Sequence, residues 1–208
     1  MLFRSKMATI KNITKLTDSK FVNLYYLEGE NKKGHISHYY VASRAKHLED
    51  LKCKTKENNA DGVFIYSLYG EKKDKVVLVH QYRYSIDDYI YEFPAGLVED
   101  GENFHQAAVR EMHEETGLDL DPISVKTGYE KPYFTTIGMT DESCATVYGY
   151  ASGEISEKYQ EESEEIEVVL ADRDEVRRIL KDEKVSVSCA FQLMHFIKDE
   201  DPFYFLES

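Results

Sequence analysis

The chain has 208 residues, 42% hydrophobic and 12% aromatic, enough to bury a core and to exclude global disorder. A formal net charge of −13 disfavours nucleic acid and anionic lipid as bulk partners, yet admits a small anionic substrate, because a bound cation inverts the local field. No apolar run reaches membrane-span length, residues 1–7 hold no signal-peptide core, and Cys53, Cys144 and Cys189 form no CxxC pair, so a cytoplasmic protein with reduced thiols is expected.

Residues 21–27 and 35–43 read as strands flanking the polar, Gly-bearing turn 28–34, which predicts a hairpin. The polar stretch 46–59 reads as a connector and a boundary. Residues 62–68 and 75–82 are β-branched and aromatic runs around a turn at Tyr69-Gly70-Glu71-Lys72. A short strand at 89–93 ends at Pro94. Residues 103–116 contain no Gly or Pro, and Gly117 follows as a helix C-cap signal. Strands are expected near 125–129, 144–151 and 166–170. Helices are expected at 172–182 and 186–198, with Asp172 and Ser186 as their N-caps. Helices that interrupt strands without regular alternation indicate an α+β or mixed-sheet fold.

On the helix at 103–116, Glu111, Glu114 and Glu115 stand at i, i+3 and i+4 and share a face. At an effective dielectric of about 20, each close carboxylate pair repels by roughly 3 kcal/mol. Such a cluster calls for a compensating cation or free access to water. Oxygen-only ligands favour Mg²⁺ or Mn²⁺ over zinc. Arg110 is placed to pair with Glu114, and Glu102 suits the helix start. The three glutamates alone read more readily as a solvated acidic face.

The whole pattern says more. Gly96, five residues, Glu102, seven residues, Arg110-Glu111, Met112, His113, Glu114-Glu115, Thr116, Gly117 and Leu118 resemble the Nudix box at every defined position. The resemblance implies an α+β fold, an α/β/α sandwich with a mixed β-sheet, preceded by an N-terminal antiparallel β extension. It places residues 1–58 in that extension, through which such enzymes form homodimers, and residues 59–208 in the hydrolase domain. It implies Glu111 and Glu115 as ligands of Mg²⁺ or Mn²⁺, Glu114 as a ligand or base, and the Ala95 carbonyl as a further ligand. Arg110 would orient the carboxylates, and Glu102 and Gly117 would shape the box.

Gln81-Tyr82-Arg83 and Tyr91-Glu92-Phe93-Pro94-Ala95-Gly96 resemble the ADP-ribose pyrophosphatase branch, in which a Leu usually stands where this chain has Phe93. Thr136-Ile137-Gly138-Met139-Thr140-Asp141-Glu142 resembles that branch's Ser-Pro-Gly loop, with Ile137 in place of its proline. By this match Glu142 is the catalytic base; otherwise it is an exposed turn carboxylate. Arg83, Glu92, Gly96 and Gly138 are the substrate-contact candidates, although Arg83 is also read as a strand-end surface charge and Glu92 as a strand-end cap. Several tyrosines, among them Tyr25, Tyr26, Tyr39, Tyr40, Tyr82, Tyr84 and Tyr133, are candidate base-stacking rings or packing residues. His105, His113 and His195 read as ordinary helix residues.

The expected activity is Mg²⁺-dependent cleavage of ADP-ribose or a related nucleotide sugar to AMP and a sugar phosphate. The alternatives are another nucleoside diphosphate derivative, such as a dinucleotide or a triphosphate, and a Nudix-fold module that binds a nucleotide without hydrolysing it. No nucleic-acid or membrane partner is expected.

Overall fold

The computed structural model describes residues 7–126, 128–162 and 164–206. In chain order it contains strands β1 (Thr9–Lys15), β2 (Asn23–Glu30) and β3 (Ile36–Ser43), and a short helix α1 (Lys52–Thr55). Next come β4 (Gly62–Tyr69), β5 (Lys75–Arg83), β6 (Asp88–Glu92), β7 (Ala95–Leu97) and helix α2 (Phe104–Thr116). Strands β8 (Asp119–Pro122), β9 (Tyr133–Phe134), β10 (Ser143–Ser152) and β11 (Ile166–Ala171) and helices α3 (Arg173–Asp182) and α4 (Val187–Lys198) complete it. The chain divides into two compact units. Residues 1–61 with 133–143 form one, and residues 62–132 with 144–208 the other.

The first unit carries the antiparallel sheet β1-β2-β3. Its hairpin is the one expected from sequence, but β2 runs on through Glu28-Gly29-Glu30, so the turn shrinks to residues 31–35. Tyr25, Leu27 and Leu51 are buried on one side of this sheet, with Ile13, Val41 and Cys53 packed beside them. The alternation of the strands leaves Leu24 and Tyr40 exposed.

The second unit is a mixed sheet in the order β11-β5-β4-β10-β8, with β6 paired to β5 and β7 to β4. Strand β10 runs parallel to β4, and the other pairings are antiparallel. Side-chain alternation divides the core into two layers. Val63, Ile65, Val77 and Val147 pack on one face against Ala107, Ala108 and Met112 of α2. Tyr66, Leu68, Val76, Leu78 and Tyr148 pack on the other against Val176 and Ile179 of α3 and Cys189, Leu193 and Phe196 of α4. This is the helix–sheet–helix sandwich expected of the sequence, because strands covered on both faces need apolar residues at both parities.

Two local expectations are corrected. The strand expected at 125–129 is absent among the described residues (Thr127 lies outside them), and the strand that follows α2 is β8. It pairs Asp119 with Ser152, Leu120 with Ala151 and Pro122 with Gly149 of β10. Ser186 stands at the N-cap position of α4, but its side chain makes no capping hydrogen bond. Asp172 does cap α3, accepting from the backbone N–H groups of Asp174 and Glu175 at 3.0 and 2.9 Å. Of the three cysteines, Cys189 is buried and Cys53 and Cys144 are part-buried. Among the described residues, no helix is long and apolar enough to cross a membrane.

Candidate active site

Helix α2 starts and stops on local signals. The Asn103 side chain accepts from the N–H groups of His105 and Gln106, and the Gln106 side chain accepts from the Asn103 N–H, a reciprocal capping box. At the other end Gly117 takes φ 74°, and its N–H donates to the His113 carbonyl. Asn103→Ala should therefore cost about 1 kcal/mol, a fall in Tm of about 2–4 °C for a domain of this size, read by thermal denaturation.

Arg110 organises the entry to the helix. Its Nη2 donates to Glu102 Oε1 at 2.7 Å and to the Leu97 carbonyl at 3.0 Å. Its Nη1 donates to Glu111 Oε1 at 2.8 Å and to Glu114 Oε2 at 2.9 Å. One guanidinium thus joins three carboxylates to the preceding loop, a use to which its planar fork is suited. Glu102 also accepts from the Glu99 N–H at 2.8 Å and, with the Arg110 guanidinium beside it, is held below the usual carboxylate range.

The compensation that the clustered carboxylates call for is thus partly internal. Arg110 already compensates Glu111 and Glu114. Among the described residues, no three Asp, Glu, His or Cys side chains converge as a formed ligand cluster.

Glu115 lies apart from Arg110. It is 3% exposed, and its Oε2 accepts from the Ala95 N–H at 3.1 Å. Burial pushes its carboxyl well above the ordinary range, and the negative fields of Glu111 and Glu164 push the same way. Burial also raises Glu111. Two carboxylates, one buried and one part-buried, have the donor chemistry of a hard-cation site. The residue types present fit Mg²⁺ or Mn²⁺, which Glu111 and Glu115 would hold.

Gly96 completes the cradle. A Cβ built on it would overlap the carboxyl carbon and both oxygens of Glu111, so only glycine leaves that carboxylate in place. Gly96→Ala should fold but displace Glu111, and an error of about 1 Å in a catalytic group can cost on the order of a hundredfold in rate. A steady-state kcat/KM within a factor of a few of wild type would contradict this assignment.

Two contributors were missed from sequence. Glu164 lies on the loop before β11, and burial raises its carboxyl too. It shares an electrostatic environment with Glu111, Glu115 and Arg83. Gln160 fastens that loop to the box, its Nε2 donating to the Glu115 carbonyl at 2.7 Å and to the Ile166 carbonyl at 3.4 Å. Both residues sit in an acidic, aperiodic stretch that carries no pattern.

The remaining candidates have partners of their own. Arg83 Nε donates to Glu92 Oε2 at 2.7 Å, so these two are a pair rather than independent contacts. In the other unit, Glu142 is part-buried and ion-paired, with Arg44 Nη2 at 2.8 Å and Nε at 3.0 Å from its Oε1, which overturns the reading as an exposed turn carboxylate. The Gly138 carbonyl there accepts from Tyr39 Oη at 2.7 Å. His105 is more than an ordinary helix residue, since its Nε2 lies 3.2 Å from the buried Glu130 carboxylate.

A mixed sheet between helical layers, carrying an acidic loop–helix–loop braced by one arginine, defines the class of protein. Residues 58–190 match the NUDIX domain, and the chain belongs to that family. It is 27% identical over 139 residues to ADP-ribose pyrophosphatase of Saccharomyces cerevisiae, covering 65% of this chain and 57% of that one. It is 28% identical over 112 residues to ADP-ribose pyrophosphatase of Bacillus subtilis, covering 53% and 58%. The chain thus spans little more than half the length of these curated relatives. A solved structure described as an ADP compounds hydrolase superposes with a TM-score of 0.65 at 17% identity, covering 93% of each chain, a likeness of fold.

Proposed function

We propose that this protein is a divalent-cation-dependent hydrolase that cleaves the pyrophosphate bond of ADP-ribose or a related nucleotide sugar, releasing AMP and a sugar phosphate. The observation that carries the reading is the pair of carboxyls raised by burial, the buried Glu115 and the part-buried Glu111 seated against Gly96, with Glu164 in the same field. The substrate class is supported by the names of the relatives and by the Arg83 and Glu92 segments that flank the box.

A hard cation, when bound, neutralises pyrophosphate charge and acidifies a water. The chain's own residues do the rest. Arg110 fixes the rotamers of Glu111 and Glu114, so the carboxylates need no reorganisation as charge develops. The Ala95 N–H holds Glu115, and the Glu99-to-Glu102 contact closes the loop. Arg83, carried at the end of β5 and oriented by Glu92, offers positive charge to a phosphate. A carboxylate then takes the proton of the attacking water.

Glu142 is the base proposed from sequence. A second reading assigns the base to Glu164, because its carboxyl is raised by burial whereas a guanidinium accompanies Glu142. Comparing Glu142→Gln with Glu164→Gln distinguishes them. The base variant should lose on the order of 10²–10⁴-fold in kcat with little change in KM. The other variant should change KM more than kcat.

The activity itself is tested with Mg²⁺ and a panel of ADP-ribose, other nucleotide sugars, dinucleotides and nucleoside triphosphates, with products identified by chromatography. AMP and ribose 5-phosphate from ADP-ribose is the expected result. Turnover of triphosphates alone would refute the substrate class, and no turnover of any compound would favour a binding module. We also propose that residues 1–58 serve dimerisation, with residues 59–208 as the catalytic domain, and that the protein acts in the cytoplasm. Sedimentation of the full chain should give a dimer.

A further inference from the structure

Helices α3 and α4 cover the sheet face opposite α2, but they do not close it completely. A cavity of about 750 Å³ remains there, lined by Tyr66, Tyr148, Gln192, Tyr204 and Phe205 among others. That size is within the range of small-molecule sites. The segment after α4 forms its outer wall. Arg173 Nη2 holds that segment through the Asp199 carbonyl at 2.9 Å, and Asp201 Oδ1 accepts from the Phe203 N–H at 3.0 Å.

Two residues of the lining carry unmet polar demand. Among the described residues, three buried side-chain polar atoms lack a hydrogen-bond partner, and two of them, Tyr66 Oη and Gln192 Oε1, belong to this lining. Tyr66 is 2% exposed. Its ring is fixed by Phe93, Phe203 and Tyr148, with centroids at 4.9, 5.1 and 6.1 Å, so the hydroxyl cannot swing out to water. Burial keeps the phenol protonated, hence a donor. An unpaired buried polar group costs about 1–3 kcal/mol, which a ligand bearing the complementary atom would recover.

The two groups ask for different things. Tyr66 O–H seeks an acceptor, and Gln192 Oε1 seeks an N–H. The aromatic side walls suit a flat ring. At the mouth, Asp199, Glu200 and Asp201 outnumber Lys198 and oppose a phosphate.

We propose that this cavity binds an uncharged planar heteroaromatic molecule, a nucleobase or nucleoside rather than a nucleotide, through Tyr66 Oη and Gln192 Oε1, at a site separate from the Nudix box. It backs onto the box segment through Tyr66 and Phe93, which precedes Pro94 and Ala95. The assignment does not depend on the protein being a hydrolase.

The test is calorimetric titration of the full chain in EDTA with adenosine, guanosine, cytidine and uridine, alongside their 5′-monophosphates. At least one nucleoside should bind saturably, and its monophosphate at least tenfold more weakly. Tyr66→Phe, which removes one oxygen and no packing, should weaken binding by about tenfold, the worth of one net hydrogen bond. Gln192→Met, on the less buried wall, should do the same. Glu115→Gln should leave binding unchanged. Absence of saturable binding by all four nucleosides, equal affinity in the Tyr66→Phe variant, or loss of binding in Glu115→Gln would each overturn the proposal.

Discussion

Glu115→Gln should abolish most turnover while leaving the fold as stable as before or more so. The glutamine carbonyl oxygen can still accept from the Ala95 N–H, so the loop contact at 3.1 Å is retained. What disappears is a charge that is costly to bury and useful only when a cation is present. Loss of one such electrostatic group costs roughly 10²–10³-fold in kcat.

The stability effect has a defined sign. Glu115 is raised in the folded state, so its favourable contribution is full below the unfolded carboxylate pKa. It is lost as pH rises through the folded value. In metal-free buffer the variant should therefore melt above wild type at pH 8, and the gap should narrow towards pH 5. Glu102, held low by Arg110, runs the other way and is untouched by the substitution. A variant that melts below wild type at pH 8 would show that the buried carboxylate stabilises the fold rather than straining it.

Arg110→Met should be the most destabilising single change in the box. It leaves Glu102, Glu111 and Glu114 without their common partner, and the Leu97 carbonyl without its donor. Hydrogen bonds to charged groups are worth about 1.5–3 kcal/mol, but the Arg110 side chain is 28% exposed and water can replace part of them. A loss of roughly 2 kcal/mol is expected, about 4–8 °C in Tm. Millimolar Mg²⁺ or Mn²⁺ should restore part of it, because the freed carboxylates then gain a cationic partner. Arg110→Lys should recover little, since one ammonium cannot reproduce the two-sided fork. Thermal scans with and without cation decide the matter, and a loss indifferent to the ion would contradict the shared role of these carboxylates.

The parts of this molecule governed by local rules were legible in the sequence. Asn103 and Gly117 bracket α2 because caps satisfy backbone groups within a few residues of themselves. The β-branched and aromatic runs of β4 and β5 announced strands. Strand β8 was misplaced because Asp119, Asp121 and Pro122 have poor intrinsic strand tendency, and pairing with β10 supplies what the segment lacks.

In the site, spacing showed that Glu111, Glu114 and Glu115 are neighbours, but not how they are divided. Whether a guanidinium reaches two of them depends on side-chain rotamers, and whether the third is buried depends on Ala95, twenty residues earlier. Glu164 and Gln160 could not be found at all, since their place in the site is created by the return of the chain to β11. The Arg83–Glu92 pair is of the same kind, two candidate contacts that the β5–β6 register brings face to face.

The claim on which the rest depends is that Glu111 and Glu115 together hold a hard divalent cation. Titration of the wild-type chain with Mn²⁺, followed by water-proton relaxation or by the free-ion electron paramagnetic resonance signal, measures it without reference to any substrate. Saturable binding is expected, displaced by Mg²⁺ and weakened tenfold or more in both Glu111→Gln and Glu115→Gln. Binding of undiminished strength in both variants, or none in the wild type with ADP-ribose present or absent, would contradict it.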